Sequence, residues 1–136
     1  MTKEDIINKV KTLNLPKGSY IVFGSCPMTA LGIREANDID LLVSQEIYEK
    51  LKNNGWKEID KGPNDKPLTR DVFEVHNNWN FSSYSPTLED LFLNAMEIDG
   101  VTFASLDDVR KWKAASGRLK DIVDIKLIDN YLAKQV

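Results

Sequence analysis

The sequence is poor in cysteine and histidine. Among its 136 residues, Cys26 is the only cysteine and His76 is the only histidine. A single cysteine cannot form an internal disulfide, and these two residues are too few for a cysteine–histidine zinc cluster. The composition therefore excludes a disulfide-stabilised domain and a structural zinc domain. It agrees with the reducing environment of the cytoplasm, which is where we expect the protein.

Long apolar runs are also missing. Charged residues make up 29% of the chain and hydrophobic residues 42%, and no run approaches the roughly 18 apolar residues that a membrane-spanning helix needs. Residues 1–5 lack the apolar segment of a signal peptide. We therefore expect no membrane partner, and the length predicts a single domain over residues 1–136.

An excess of positive charge is absent as well. The formal net charge is −3, which gives the chain no general attraction to nucleic acids. A polyanionic ligand would have to be met by a local basic patch or through a bound cation.

The spacing of apolar residues predicts helices and strands in mixed order. Helices are expected over residues 3–14, 27–33, 44–55 and 87–98, and in two segments after residue 105 that break near Gly117. Strands are expected over residues 19–24, 38–43, 56–60, 70–79 and 101–105. This order predicts an α+β fold, with a small mixed β-sheet flanked by helices and further helices at the C-terminus.

Two aspartates, Asp38 and Asp40, stand in the otherwise apolar strand over residues 38–43. Alternation along a strand places both carboxylates on one face, with Cα atoms about 6.5–7 Å apart, and the apolar residues between them on the other. Such a pair can hold one cation or a pair of cations, and without one the pKa of one aspartate should rise. The alternative is a chance Asp-x-Asp pattern with Asp40 facing solvent.

The preceding strand ends in Gly24-Ser25, just before a predicted short helix. A glycine there lets the backbone approach a ligand closely, and the Ser25 hydroxyl can bind phosphate oxygens. An ordinary strand-to-helix turn, with Ser25 as the helix cap, is the alternative. The combination of this turn with the acidic strand is what favours a phosphate-and-cation site.

The sequence "FGS", followed after a gap by "DIDLL", resembles the nucleotidyltransferase superfamily related to DNA polymerase beta. The stretch "SLDDVRKWKAASGRLKDIVDI" is similar to the C-terminal helical motif of small bacterial nucleotidyltransferases. The resemblance implies a mixed sheet with helices. It also implies transfer of a nucleoside monophosphate from a nucleoside triphosphate (NTP) to a hydroxyl, with release of pyrophosphate and with Mg²⁺ as the cofactor.

The resemblance also implies roles for individual residues. Gly24 and Ser25 would bind the triphosphate, while Asp38 and Asp40 would hold the metal ions. Relatives that use two metals need a third carboxylate on a later strand, and Glu74 in "DVFEVH" is the predicted catalytic and metal-binding residue.

Strand alternation leaves the third carboxylate open. Glu74 and His76 share one face, and Asp71 lies on the other, so Asp71 is the alternative if the buried face is the opposite one. An exposed structural glutamate is a further alternative for Glu74. His76 is expected to be structural, because a single unclustered histidine usually is.

The resemblance further implies that Lys113 and Arg118 contact phosphate and that Asp121 supports the site. Together with Lys120 they would supply the local positive charge that a triphosphate requires. The alternative is a solvated helix face on which Lys120 pairs with Asp124. Trp56, Trp79 and Trp112 are expected mainly in the core, with stacking on a nucleobase as the alternative.

The expected substrate is an NTP, with ATP preferred, and the acceptor is a hydroxyl on RNA, protein or a small molecule. A partner protein and a place in a toxin–antitoxin pair are part of this interpretation. The rival interpretation is a catalytically degenerate relative that binds nucleotide or a partner protein without chemistry.

Overall fold

The computed structural model describes residues 1–135, which form six helices and seven strands. The helices are α1 (Lys3–Thr12), α2 (Cys26–Ala30), α3 (Gln45–Asn53), α4 (Leu88–Phe92), α5 (Leu106–Ser116) and α6 (Leu119–Ala133). The strands are β1 (Tyr20–Phe23), β2 (Ile39–Val43), β3 (Lys57–Glu58), β4 (Leu68–Arg70), β5 (Phe73–His76), β6 (Met96–Ile98) and β7 (Val101–Phe103).

All seven strands join one sheet in the order β3-β4-β5-β2-β1-β7-β6. At its centre β2 pairs antiparallel with β1 and parallel with β5, and β1 pairs parallel with β7. The predicted α+β fold with a mixed sheet and C-terminal helices is confirmed. None of the helices within residues 1–135 combines the length with the apolar character that spanning a membrane requires.

Both faces of the sheet are covered. Ile39, Leu41 and Val43 of β2 are buried in one core layer, as alternation predicts. Leu42, on the face of the carboxylates, is buried in a second layer. Asp40 therefore lies on the same face as a packed apolar layer, at the end of β2 where that layer gives way to a polar cavity.

Aromatic side chains build much of this second layer. Trp79 stacks on Phe23 with ring centroids 4.6 Å apart, and Trp112 meets Phe23 edge-on. All three tryptophans are buried, with Trp56 in the other layer, in agreement with the core interpretation. Trp79 and Trp112 also line the cavity described below.

Helix termini follow the sequence signals. Thr2 and Asp5 form a capping box at the start of α1, and the Ser44 hydroxyl caps α3. Gly117 adopts φ 67° after the end of α5, a left-handed conformation that glycine adopts without strain, and it produces the predicted break before α6.

The predicted helix over residues 87–98 is wrong in its second half. The Thr87–Asp90 capping box starts α4, but the helix ends at Phe92 and residues 96–98 form β6. Asp99 and Gly100 both have positive φ, which is the conformation of a two-residue hairpin turn, and they join β6 to β7. Sheet pairing therefore overrides the helical spacing.

The single strand predicted over residues 70–79 is also wrong. Asp71 has φ 53° and turns the chain between β4 and β5, so that Arg70 pairs with Phe73. The result is a hairpin rather than one long strand, and it moves Asp71 away from the register of Glu74.

Candidate active site

Pairing of β1 with β2 brings the glycine-serine turn to the acidic strand. Phe23 is the register partner of Asp40, so the next residue, Gly24, lies against the Asp40 carboxylate. Gly24 has φ 65°, and a side chain there would collide with Asp40 Oδ2. Only glycine fits this position without strain, and its absence of a side chain lets turn and carboxylate meet.

Pairing of β2 with β5 brings a second carboxylate to the same place. Asp40 and Glu74 are register partners in this parallel pair. Asp71, the alternative, lies in the hairpin turn with its carboxylate 3.0 Å from Lys9 Nζ. Of the two candidates, Glu74 is therefore the one that the sheet places beside Asp40.

The imidazole of His76 lies beside the carboxylates of Asp40 and Glu74. Its Nε2 lies 3.2 Å from Glu74 Oε1 and 3.7 Å from Asp40 Oδ1. Within the part of the chain that the structure describes, the group of potential metal ligands whose atoms all lie within 4.8 Å of one another is Asp40, Glu74 and His76. Asp38 lines the same cavity from an exposed position just before β2, outside that close group.

The charges of this group are only partly balanced. Partial desolvation, followed by the negative charges of Asp40 and Glu74, raises the pKa of Asp38, as expected for a carboxylate without a cation. Hydrogen bonding to His76, opposed by desolvation and helped by Lys61, lowers the pKa of Glu74 to about 2. Burial opposes protonation of His76, but Asp40 and Glu74 outweigh it and raise the pKa of the imidazole.

A second charged cluster lies between α5 and α6. Lys113 is buried, and its Nζ lies 2.8 Å from Asp124 Oδ2 and 3.6 Å from Asp121 Oδ1. The same Nζ donates a hydrogen bond of 3.3 Å to Ser25 Oγ. Lys113 therefore reaches the glycine-serine turn, and a solvated position for this lysine is ruled out by its burial.

The two aspartates of α6 are bound by cations. Asp121 is fully buried and accepts hydrogen bonds from the Arg118 side chain, at 2.8 and 3.0 Å, and from the Arg118 backbone N–H. Asp124 accepts two hydrogen bonds from Arg34 Nη1, at 2.8 and 2.9 Å, besides that from Lys113. The alternative pairing of Lys120 with Asp124 is wrong, because Asp124 is bound by Arg34 and Lys113.

Four charged or titratable residues that line the cavity were not predicted from the sequence to belong to the site: Arg34, Lys61, His76 and Asp124. Asp121, Asp124 and Ile128 have the spacing of one helix face and all three are buried, so carboxylates at apolar-face positions were the available signal. His76 shares a strand face with Glu74, which was a weaker signal. We find no sequence signal for Lys61, which approaches Glu74 from a loop.

These groups border one cavity of about 680 Å³. Its lining includes the acids Asp38, Asp40 and Glu74, the basic residues Arg34, Lys61, Lys113, Arg118 and Lys120, and the aromatic residues Trp79, Phe81 and Trp112. The cavity also has a row of amides, in which Asn78 donates to the Asn64 carbonyl and Asn80 donates to Asn78. Carboxylate oxygens and cationic side chains thus share one space, which is the requirement for binding a cation together with phosphates.

The donor set fits a divalent cation. Carboxylate oxygens of Asp38, Asp40 and Glu74 are the ligands that Mg²⁺ takes. The negative charges of Asp40 and Glu74, which after partial desolvation are the next causes of the raised pKa of Asp38, are charges that a cation would neutralise.

Comparisons with solved structures return nucleotidyltransferases. The protein is similar to ANT(2'')-Ia in complex with adenylyl-2''-tobramycin, with a TM-score of 0.57 and 17% identity over 96% of this chain and 87% of the other. It is similar to a Thermotoga maritima protein assigned as a nucleotidyltransferase, with a TM-score of 0.57 and 16% identity over 98% and 96% of the two chains.

A solution structure of the antibiotic-resistance factor ANT(2'')-Ia matches with a TM-score of 0.54 and 17% identity over 95% and 81% of the two chains. No protein-family model and no curated protein matches the sequence. At these identities the likeness concerns the arrangement of the backbone, and the chain has the nucleotidyltransferase fold.

Proposed function

We propose that the protein transfers a nucleoside monophosphate from an NTP to a hydroxyl acceptor, with a divalent cation, Mg²⁺ by expectation, as cofactor. The observation that carries the proposal is the meeting of Gly24-Ser25 with Asp40 and Glu74, produced by two strand registers. In this arrangement the turn would bind the phosphates of the NTP, and the two acids would bind the cation that accompanies those phosphates. The neighbouring solved structures have the same fold and support this interpretation.

Each group has a distinct task in the proposal. The Ser25 hydroxyl and backbone at Gly24 bind the triphosphate, and Lys113 adds positive charge through its contact with Ser25. Arg118 Nε and Nη2 are held by Asp121, yet 45% of its side chain is exposed and lines the cavity, so it remains accessible to phosphate. Asp121 acts indirectly, as the partner that positions Arg118.

Asp38, Asp40 and Glu74 would hold the cation, which supplies charge neutralisation and alignment at the α-phosphate when it is bound. In the transfer, a bond forms between the acceptor oxygen and the α-phosphorus, and the bond to pyrophosphate breaks. Glu74, placed beside Asp40 by the strand register, would accept a hydrogen bond from the acceptor hydroxyl and orient it, and the proton of that hydroxyl would pass to solvent.

The direct test is pyrophosphate release by Asp40→Asn. Because this change removes a charge at the reacting centre and keeps the side-chain size, we expect a loss of roughly 10²–10³-fold in turnover. Asp71→Asn is the matched control, since Asp71 is exposed in the β4–β5 turn. Equal turnover by wild type and Asp40→Asn would refute the proposal.

The degenerate, binding-only alternative makes a different prediction. Thermal unfolding with each of the four NTPs, with and without Mg²⁺, reports binding, because a ligand of the folded state raises the melting temperature. ATP is expected to give the largest shift. Stabilisation without pyrophosphate release, under every acceptor tested, would favour the alternative, whereas the position of Glu74 beside Asp40 supports chemistry.

The proposal also includes an acceptor hydroxyl on RNA, protein or a small molecule, and a partner protein with which the chain forms a toxin–antitoxin pair. RNA, protein and small-molecule hydroxyls are distinguished by transfer of labelled phosphate from α-labelled ATP. A toxin role predicts growth arrest on expression that Asp40→Ala relieves, and arrest that persists in Asp40→Ala would contradict it.

A further inference from the structure

We propose that His76 is a ligand of the divalent cation, together with Asp40 and Glu74, and that the site therefore favours a transition metal such as Mn²⁺ over Mg²⁺. The proposal deepens the proposed function, because it concerns the cation at the same site. It departs from the all-carboxylate set that the sequence resemblance implies.

The distances from His76 to the two acids are close to those between ligands of one metal ion. His76 Nε2 lies 3.2 Å from Glu74 Oε1 and 3.7 Å from Asp40 Oδ1. Ligands about 2.1–2.2 Å from one metal ion lie about 3.0–3.5 Å apart at neighbouring positions of a tetrahedron or octahedron. The group can therefore enclose an ion after small side-chain adjustments.

The imidazole is held in place by the sheet. His76 is the register partner of Leu42 on β2, two positions along from the Asp40–Glu74 pair, so its side chain shares their face. Its ring meets Trp79 edge-on, with centroids 4.9 Å apart, and only 15% of the side chain is exposed. A ligand fixed by a strand and an aromatic neighbour loses little conformational freedom when an ion binds.

The chemistry of the donors sets the preference. Mg²⁺ takes oxygen ligands and keeps much of its water, whereas imidazole nitrogen suits first-row transition metals. Mn²⁺ binds most weakly of the divalent ions in that series. If a nitrogen ligand makes even Mn²⁺ bind more tightly than Mg²⁺, the later ions of the series should bind more tightly still.

Lys61 competes for the same oxygen. Its ammonium lies 2.6 Å from Glu74 Oε1, the atom that also faces His76. A cation bound there has to displace this ammonium, because two positive charges cannot share the position. Lys61 thus weakens metal binding, and its removal should strengthen it.

The single histidine makes a decisive experiment possible. Protein without a histidine tag is loaded with Mn²⁺, and electron spin echo envelope modulation is recorded with natural-abundance and ¹⁵N-labelled histidine. We expect the large isotropic nitrogen coupling that a direct bond from imidazole to Mn²⁺ gives, and it should change with the label. A purely dipolar coupling, or no nitrogen modulation from the bound Mn²⁺, would overturn the proposal, and this measurement needs no variant.

Variants test the preference. In His76→Gln the ratio of Mn²⁺ to Mg²⁺ affinity, from calorimetric titration, is expected to fall roughly tenfold. Lys61→Met is expected to bind Mn²⁺ several-fold more tightly, whereas Lys17→Met, a change at an exposed lysine paired with Glu97, should leave the affinity unchanged. An unchanged ratio in His76→Gln, or unchanged affinity in Lys61→Met, would refute the proposed ligand set.

Failure of this proposal is distinguishable from failure of the proposed function. Pyrophosphate release that depends on Asp40, without histidine coupling to Mn²⁺, would leave the transfer function standing and reject His76 as a ligand. Histidine coupling without transfer would establish the metal site and reject the transfer function.

Discussion

The molecule holds two charged clusters a short distance apart, and they are built on opposite principles. In the strand cluster, formed by Asp38, Asp40, Glu74 and His76, partial desolvation and then the negative charges of Asp40 and Glu74 raise the pKa of Asp38. In the helix cluster, formed by Lys113, Asp121 and Asp124 with Arg34 and Arg118, Lys113 and Asp124 are buried and bound to each other. A cluster with uncompensated negative charge that is open to a cavity is suited to a cation, whereas a cluster whose buried carboxylates are all paired with cations is costly to break.

The largest contrast is expected from removal of one carboxylate in each cluster. Asp124→Asn leaves Lys113 and Arg34 without their shared partner, and breaking a buried ion pair costs about 3–5 kcal/mol. Asp38→Asn removes a charge that the folded state disfavours, so the free energy of unfolding should stay equal or rise slightly at neutral pH. Urea denaturation measures both, and equal destabilisation by the two changes would break the comparison.

Lys113→Met sharpens the comparison, since Lys113 belongs to the helix cluster and touches the site. Asp124 keeps Arg34 as a partner, so the cost in stability should be smaller, about 1–3 kcal/mol for a lost charged hydrogen bond. The stabilisation by NTP, measured as a melting-temperature shift, should fall strongly because Ser25 loses its cationic neighbour. A shift equal to that of the wild type would make Lys113 purely structural.

The pH dependence of stability separates the clusters further. Burial alone would raise the pKa of Asp121, but hydrogen bonds from the Arg118 side chain and backbone hold it below the ordinary value of 3.8. Its contribution to stability is therefore present above pH 3.8 and is lost as pH falls through the folded-state pKa. The difference in unfolding free energy between wild type and Asp121→Asn should shrink below about pH 4.

This prediction is checked by urea denaturation of the two proteins at pH 7 and pH 3. Asp38 has the opposite sign, because a raised pKa makes its contribution less favourable as pH rises above 3.8. If the difference in unfolding free energy between wild type and Asp121→Asn grew on acidification, the assignment of Asp121 to the helix cluster would be contradicted.

The smallest effect is expected outside both clusters. Asp71→Asn removes an exposed ion pair with Lys9, and such pairs contribute about 0–1 kcal/mol. Neither stability nor pyrophosphate release should change measurably. A large loss of turnover in this variant would return Asp71 to the site in place of Glu74.

Much of the local structure was predictable because its causes are local. The capping residues Thr2 and Ser44 and the break at Gly117 act within a few residues of themselves. The errors occurred where distant pairing decided the outcome. Residues 96–98 have helical apolar spacing, yet they pair with β7 across the Asp99–Gly100 turn.

For the candidate site, Gly24, Ser25, Asp38 and Asp40 could be proposed from the sequence because they lie in one short stretch with a characteristic order. Glu74 could be chosen over Asp71 only when the turn between β4 and β5 was known. Arg34 and Asp124 are 90 positions apart, and no spacing rule links them.

By itself, the sequence determined where several helices begin and end and which apolar side of β2 is buried, whereas Asp38, predicted on β2, lies just before that strand. These outcomes depend on backbone preferences and alternation over a few residues. Only the tertiary structure decided that His76 faces Asp40 and Glu74, and that Lys113 reaches Ser25. Those contacts depend on strand order and helix packing, which join residues far apart in the chain and so leave no local pattern.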